Sequence, residues 1–167
     1  FRSDEANALL ELGRLDEAHS ELRALLARPG ADTSAHLGVW ARINLSSLEH
    51  LRGRDAVARE FAEEAIALLG ETDPYALAYA ELALACALAG LGEAETAMEH
   101  RRRGIDIAES NFGASAVALT VLISAGQDAG GFDDIDAVIG DLRRALRSGE
   151  SSFGMTHAMT ALNQRFL

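Results

Sequence analysis

The stretch LGRLDEA, Leu12 to Ala18, decides the fold, because much the same phrase returns three times. It reappears as LRGRDAVA at 51–58, GLGEAETA at 90–97 and GGFDDI at 130–135. Aligned on the turn glycines Gly13, Gly53, Gly92 and Gly130, the copies stand 40, 39 and 38 residues apart. Five residues after each glycine comes Ala18, Ala58, Ala97 or Ile135, which opens the contact face of the following helix. Four and seven residues further on come Leu22 and Leu25, Ala62 and Ala65, Arg101 and Gly104, and Ile139 and Leu142. Offsets of three and four place such residues on one helical stripe. Arg101 interrupts the apolar pattern and makes the third copy the weakest match. A period of roughly 40 with one glycine turn inside each unit predicts helix–turn–helix repeats stacked in an array.

The punctuation between copies agrees. Pro29-Gly30 ends one unit, and Thr33 or Ser34 can cap the next helix. Asp73-Pro74 starts a helix, with Asp as cap and Pro in the first turn. Asn111-Phe112-Gly113 and Gly149-Glu150-Ser151-Ser152 supply the later breaks. These signals predict helices at about 1–12, 16–27, 34–51, 55–69, 74–90, 93–109, 115–128, 132–147 and 153–166. No segment shows the period-two alternation of a strand.

Composition narrows the roles. At 167 residues the chain has the length of a single domain. Ala, Leu and Glu dominate and only two residues are Pro, which favours helix throughout. No apolar run reaches the roughly eighteen residues of a membrane span, and the start has no signal-peptide pattern. A lone cysteine, Cys86, makes no internal disulfide, so a reducing cytoplasm is the expected setting. The net charge of −11 repels phosphate backbones and anionic lipid, which argues against direct nucleic-acid or membrane binding. All 15 basic residues are Arg, a usage that suggests a GC-rich, bacterial coding sequence.

The small residue midway along each first helix, the turn glycine and the Ala spacing of the second helix resemble the tetratricopeptide repeat family. AREFAEEAIAL at 58–68 is the closest copy of that second-helix signature. The resemblance covers about residues 1–148, and its long period is similar to that in LuxR-type, antibiotic-regulator and peptide-sensing bacterial regulators. It implies an all-α, right-handed α-α superhelix of about four repeats, near 1–30, 31–72, 73–112 and 113–150, with a terminal helix at 151–167. Small residues, Ala6, Ser46 and Ala85, would let helices approach closely, while Ile123 departs from the pattern in the fourth copy.

In this family the first helix of each pair lines a concave groove. The implied groove positions are Ser3, Asn7 and Leu10 in the first repeat, and Trp40, Ile43, Ser47 and His50 in the second. Tyr79, Leu82, Cys86 and Ala89 follow in the third, and Val117, Thr120, Ser124 and Gln127 in the fourth. The extra Arg52 in LRGR leaves the second register open by one residue. Trp40 and Tyr79 are the largest groove side chains and the natural anchors for a guest. The carboxylate clamp of chaperone-binding members needs basic side chains across successive first helices. Here Lys is absent and only Asn7 falls on a groove position, so a hydrophobic peptide, a partner helix or another part of the same polypeptide, such as another domain of the parent protein, fits better.

Catalytic and metal signals are absent from the sequence. His19, His36, His50, His100 and His157 are scattered over four of the expected helices and form no HExxH pair or Cys–His cluster. His36 and Trp40 lie four apart on one helix, a spacing that stacking or partner contact explains as well as catalysis does. Cys86 lies in ELALACALAG, where a thiol reads as a small core hydrophobe. No GxSxG elbow, P-loop or GxGxxG occurs. Arg101-Arg102-Arg103 reads as a solvated outer face, with Glu99 as partner to Arg102 or Arg103. Asp133, Asp134 and Asp136 suit a helix N-terminus better than a calcium loop.

The resulting expectation is a non-enzymatic scaffold without cofactor or metal that binds a protein or peptide in its groove. The best specific reading is the sensor or interaction segment of a bacterial signalling or transcriptional regulator. The start at Phe1 and the end just before a fifth glycine falls due point to a fragment of a longer protein. The alternatives are a free-standing adaptor, a scaffold that dimerises through 153–166, and an enzyme with dispersed catalytic residues.

Overall fold

The structure, a computed structural model, describes residues 14–27, 35–70 and 72–112. Five helices and no strand occur among the described residues: α1 (Leu15–Leu26), α2 (Ala35–Leu51), α3 (Asp55–Leu69), α4 (Pro74–Gly90) and α5 (Ala94–Phe112). The sequence expectations for α3 and α4 coincide with these limits, and the other three helices differ by one to three residues at one or both ends. The helices expected at 1–12, 115–128, 132–147 and 153–166 lie outside the described residues.

Local chemistry sets the helix ends. Asp73 caps α4 by accepting the Ala76 amide at 3.1 Å, and Pro74 fills the first helical position. The turns after α2 and α4 are the same motif. Gly53 and Gly92 adopt φ of 70° and 80°, a left-handed region open to glycine but strained for other residues. The Gly53 amide donates to His50 at 2.8 Å and the Arg54 amide to Glu49 at 2.9 Å. The Gly92 amide donates to Ala89 at 2.9 Å and the Glu93 amide to Leu88 at 2.9 Å, repeating that double closure.

Burial repeats with the turns. Ala18, Ala58 and Ala97, five residues past their glycines, are each fully buried. Leu22, Ala62 and Arg101 occupy the next buried station, and Leu25, Ala65 and Gly104 the one after. Arg101 does not break the stripe: it is 3% exposed, so the solvated face expected for it holds only for Arg102 and Arg103. Ser46 and Ala85 are buried at the small positions of α2 and α4.

Packing follows chain order. The α2–α3 and α4–α5 pairs form the main contacts, α3 packs on α4, α1 on α2, and α2 also touches α4. The main core joins Val39 and Ile43 to Ala62, Ala65, Leu77 and Leu84. A smaller one gathers Leu22, Leu25, Leu45 and Phe61. Polar side chains close each seam. Arg42 on α2 reaches Glu64 on α3 at 2.8 Å, and Glu81 on α4 meets Arg103 on α5 at 3.3 Å. His50 Nδ1 lies 2.5 Å from Asp55 Oδ1 beside the first turn.

Two carboxylates are fully enclosed. Glu49, 1% exposed, is met by His19 at 3.2 Å and by Arg54 at 2.6 Å. Glu81, 0% exposed, is met by His100 at 2.6 Å as well as by Arg103. A buried carboxylate needs such donors, because an unpaired charge there is strongly destabilising.

Candidate functional site

The first helices of the two described hairpins place four rings side by side. Trp40 stands thirteen residues before Gly53 and Tyr79 thirteen before Gly92. His36 and Tyr75 each stand seventeen before the same glycines. On each helix the two rings are four residues apart and therefore share a face. Across helices, α2 touches α4, so matching positions become neighbours.

The geometry is that of an aromatic quartet. Trp40 and Tyr79 meet edge-to-face with centroids 5.4 Å apart, and Trp40 lies 5.9 Å from Tyr75. Along α4 the Tyr75 and Tyr79 rings are 5.0 Å apart and share a hydroxyl hydrogen bond of 3.2 Å. Along α2 the His36 ring stands edge-on to Trp40 at 6.2 Å. Trp40 and Tyr79 are half-buried against the main core, while His36 and Tyr75 are exposed. Each edge-to-face pair is worth about 0.5–1.5 kcal/mol beyond its buried area. The quartet therefore forms a preorganised ledge with two rings rooted and two open.

Charge at the rim is acidic. Asp73, the α4 cap, has a side chain 36% exposed, and its Oδ2 lies 3.8 Å from His36 Nδ1. Burial, reinforced by the Tyr75 hydroxyl, pushes Tyr79 far above the ordinary phenol value, so its hydroxyl stays neutral.

The expected groove is only partly assembled by these helices. Trp40 and Tyr79 meet, and Ser47 and His50 are half-buried, His50 being held by Asp55. Ile43, Leu82 and Cys86 are 3%, 2% and 1% exposed, and Ala89 is 8% exposed, so they belong to the core rather than to an open groove. Leu82, Cys86 and Ala89 are enclosed because α2, α3 and α5 all touch α4, and Ile43 enters the main core from α2. Ser3, Asn7, Leu10, Val117, Thr120, Ser124 and Gln127 lie outside the described residues. Tyr75 was missing from the expected set. Its signal was present as the Tyr75–Tyr79 spacing, which repeats His36–Trp40 at the same distance from the glycine.

Other chemistry is weaker. Among the described residues, no three His, Cys, Asp or Glu side chains are grouped to hold a metal ion. An open depression of about 400 Å³ along α5 sets Glu99 and Asp106 beside Arg102 and Arg103, so its charges offset one another. Arg103 finds its ion partner in Glu81 across the hairpin rather than in Glu99 on its own helix. No described helix is long and apolar enough to cross a membrane.

No family model, curated protein or solved structure matches the chain.

Proposed function

We propose that the chain is a tetratricopeptide-like scaffold that binds a protein or peptide on the face carrying Trp40 and Tyr79. The observation that carries this reading is the aromatic quartet, built from matched positions on successive first helices. Binding surfaces favour large, rigid aromatic anchors with few rotatable bonds, and half-exposed rings rooted in a core supply them. The equal offsets of paired residues from Gly53 and Gly92 support a regular array, and with it a right-handed superhelix of about four repeats. In that reading the segment senses or docks for a bacterial signalling or transcriptional regulator in the cytoplasm, and does no chemistry itself.

Trp40 is the single tryptophan, so its emission reports directly on the ledge. Selection of a random peptide library against the chain should enrich sequences that change Trp40 fluorescence saturably. Tyr75→Ala, which removes an exposed ring, should weaken the selected peptides by about tenfold. Enrichment of nothing, or of peptides indifferent to Tyr75→Ala, would overturn the reading.

A further inference from the structure

Resting on that reading, we infer that the quartet takes a cationic guest: an arginine side chain of a basic peptide, laid over the exposed Tyr75 ring with its guanidinium toward Asp73.

Three observations converge on that chemistry. Ring faces carry the negative pole of an aromatic quadrupole, and Trp and Tyr attract a cation best when it lies within about 6 Å of the centroid. Here one Trp and two Tyr rings lie within 5.9 Å of one another, with Tyr75 exposed at the edge. The second is the Asp73 carboxylate. It stands two residues before Tyr75, remains 36% exposed, and has one oxygen occupied by the Ala76 amide and the other turned to His36. The third is the chain's net charge of −11 with no lysine anywhere, a field that draws basic guests and repels acidic ones.

Arginine fits better than lysine. Its flat guanidinium stacks on a ring while its edge still donates to a carboxylate, and it sheds water more readily than an ammonium. The linked Tyr75 and Tyr79 hydroxyls add acceptor oxygens on the same ledge.

The test uses the full chain and capped nonapeptides of alanine and glycine with one residue type at every third position. That residue is arginine, citrulline, lysine, leucine or glutamate, and Trp40 fluorescence reads binding. The arginine peptide should bind saturably, about three- to tenfold tighter than its neutral citrulline isostere and tighter than the lysine peptide. Tyr75→Ala should abolish most of that preference. Asp73→Asn keeps a competent helix cap while removing the charge, and should lower arginine affinity about threefold without altering the melting curve. Equal binding of arginine and citrulline peptides would overturn the cationic assignment, as would indifference to Asp73→Asn. Preference for the leucine peptide would also overturn it, yet would leave the peptide-binding reading standing. Failure of all five peptides, together with failure of the library selection, would sink both.

Discussion

Arg42 on α2 and Glu64 on α3 meet at 2.8 Å, and the matching stations of the next hairpin hold Glu81 and Arg103 at 3.3 Å with the signs exchanged. Each member stands eleven residues from its turn glycine, before Gly53 and Gly92 on one arm and after them on the other. Equal arms of an antiparallel hairpin face one another, so hairpin geometry fixes where the pair forms and leaves its polarity free. The two exchanges differ in setting, because Glu81 is fully buried whereas Arg42 keeps 13% of its side chain exposed.

That relationship predicts a rescue. Arg42→Glu sets two carboxylates against each other and also loses the bond from Arg42 to the Gly38 carbonyl. Because Glu64 is 56% exposed, solvent screening holds the pair's share of the cost to about 1 kcal/mol, and the poor solvation of a carboxylate at a site 13% exposed adds to it. Adding Glu64→Arg recreates the polarity of Glu81–Arg103 and should recover part of the loss in urea denaturation. A double variant no more stable than the single one would show that the two side chains are not coupled.

Gly104 should resist the smallest enlargement. A Cβ there would lie 3.0 Å from the Ala78 carbonyl oxygen and 3.0 Å from Leu82 Cγ. Neither neighbour can retreat, since both Ala78 and Leu82 are buried within α4. Gly104→Ala gains about 1 kcal/mol in helix propensity but should still lower stability, by about 1 kcal/mol net, by wedging α5 from α4. Ala85→Leu, at a site 1% exposed, should overpack by about 1–3 kcal/mol. Thermal melts of both variants check the point, and a raised midpoint for either would refute the close packing described.

Acid should weaken the α1–α2 seam through His19. Burial first, then Arg52, hold its imidazole below the ordinary value of 6.5, outweighing the attraction of Glu49. The unfolded chain therefore takes up this proton before the folded one does. Its contribution to stability is intact above pH 6.5 and is lost as pH falls below that value. Replacing His19 by Gln should flatten the fall in stability between about pH 6.5 and 5. Unchanged slopes for the two proteins would place the acid response elsewhere.

Much of this was legible in the sequence, for reasons particular residues make plain. Gly53, Gly92 and the Asp73-Pro74 step are local signals, and they set α3 and α4 at the residues expected. The side-chain surroundings of α4 were not legible in the same way. Its sequence, PYALAYAELALACALAG, has no polar face to show which side meets water, so Leu82 looked available for a groove although it is buried. Cys86, a groove position by the resemblance, is instead the core hydrophobe that its apolar run indicated. Glu81 is the one charged residue in the α4 sequence. Its burial depends on His100 and Arg103, nineteen and twenty-two residues away, a distance at which local pattern carries no information. Arg101 misled for the complementary reason, because a charged residue in a row of three arginines looks solvated whichever stripe it falls on. The quartet was partly visible, through Trp40, Tyr79 and the four-residue spacing of His36 and Trp40, and only Tyr75 needed the glycine alignment to join it.

The most direct measurement is a backbone amide shift map of the labelled chain, titrated with a peptide selected against it. The largest changes should fall around 36–40 on α2 and from the Asp73 cap to Tyr79 on α4, the two segments that carry the rings. Changes confined to α3 and α5, with Trp40 and Tyr75 unmoved, would contradict binding there.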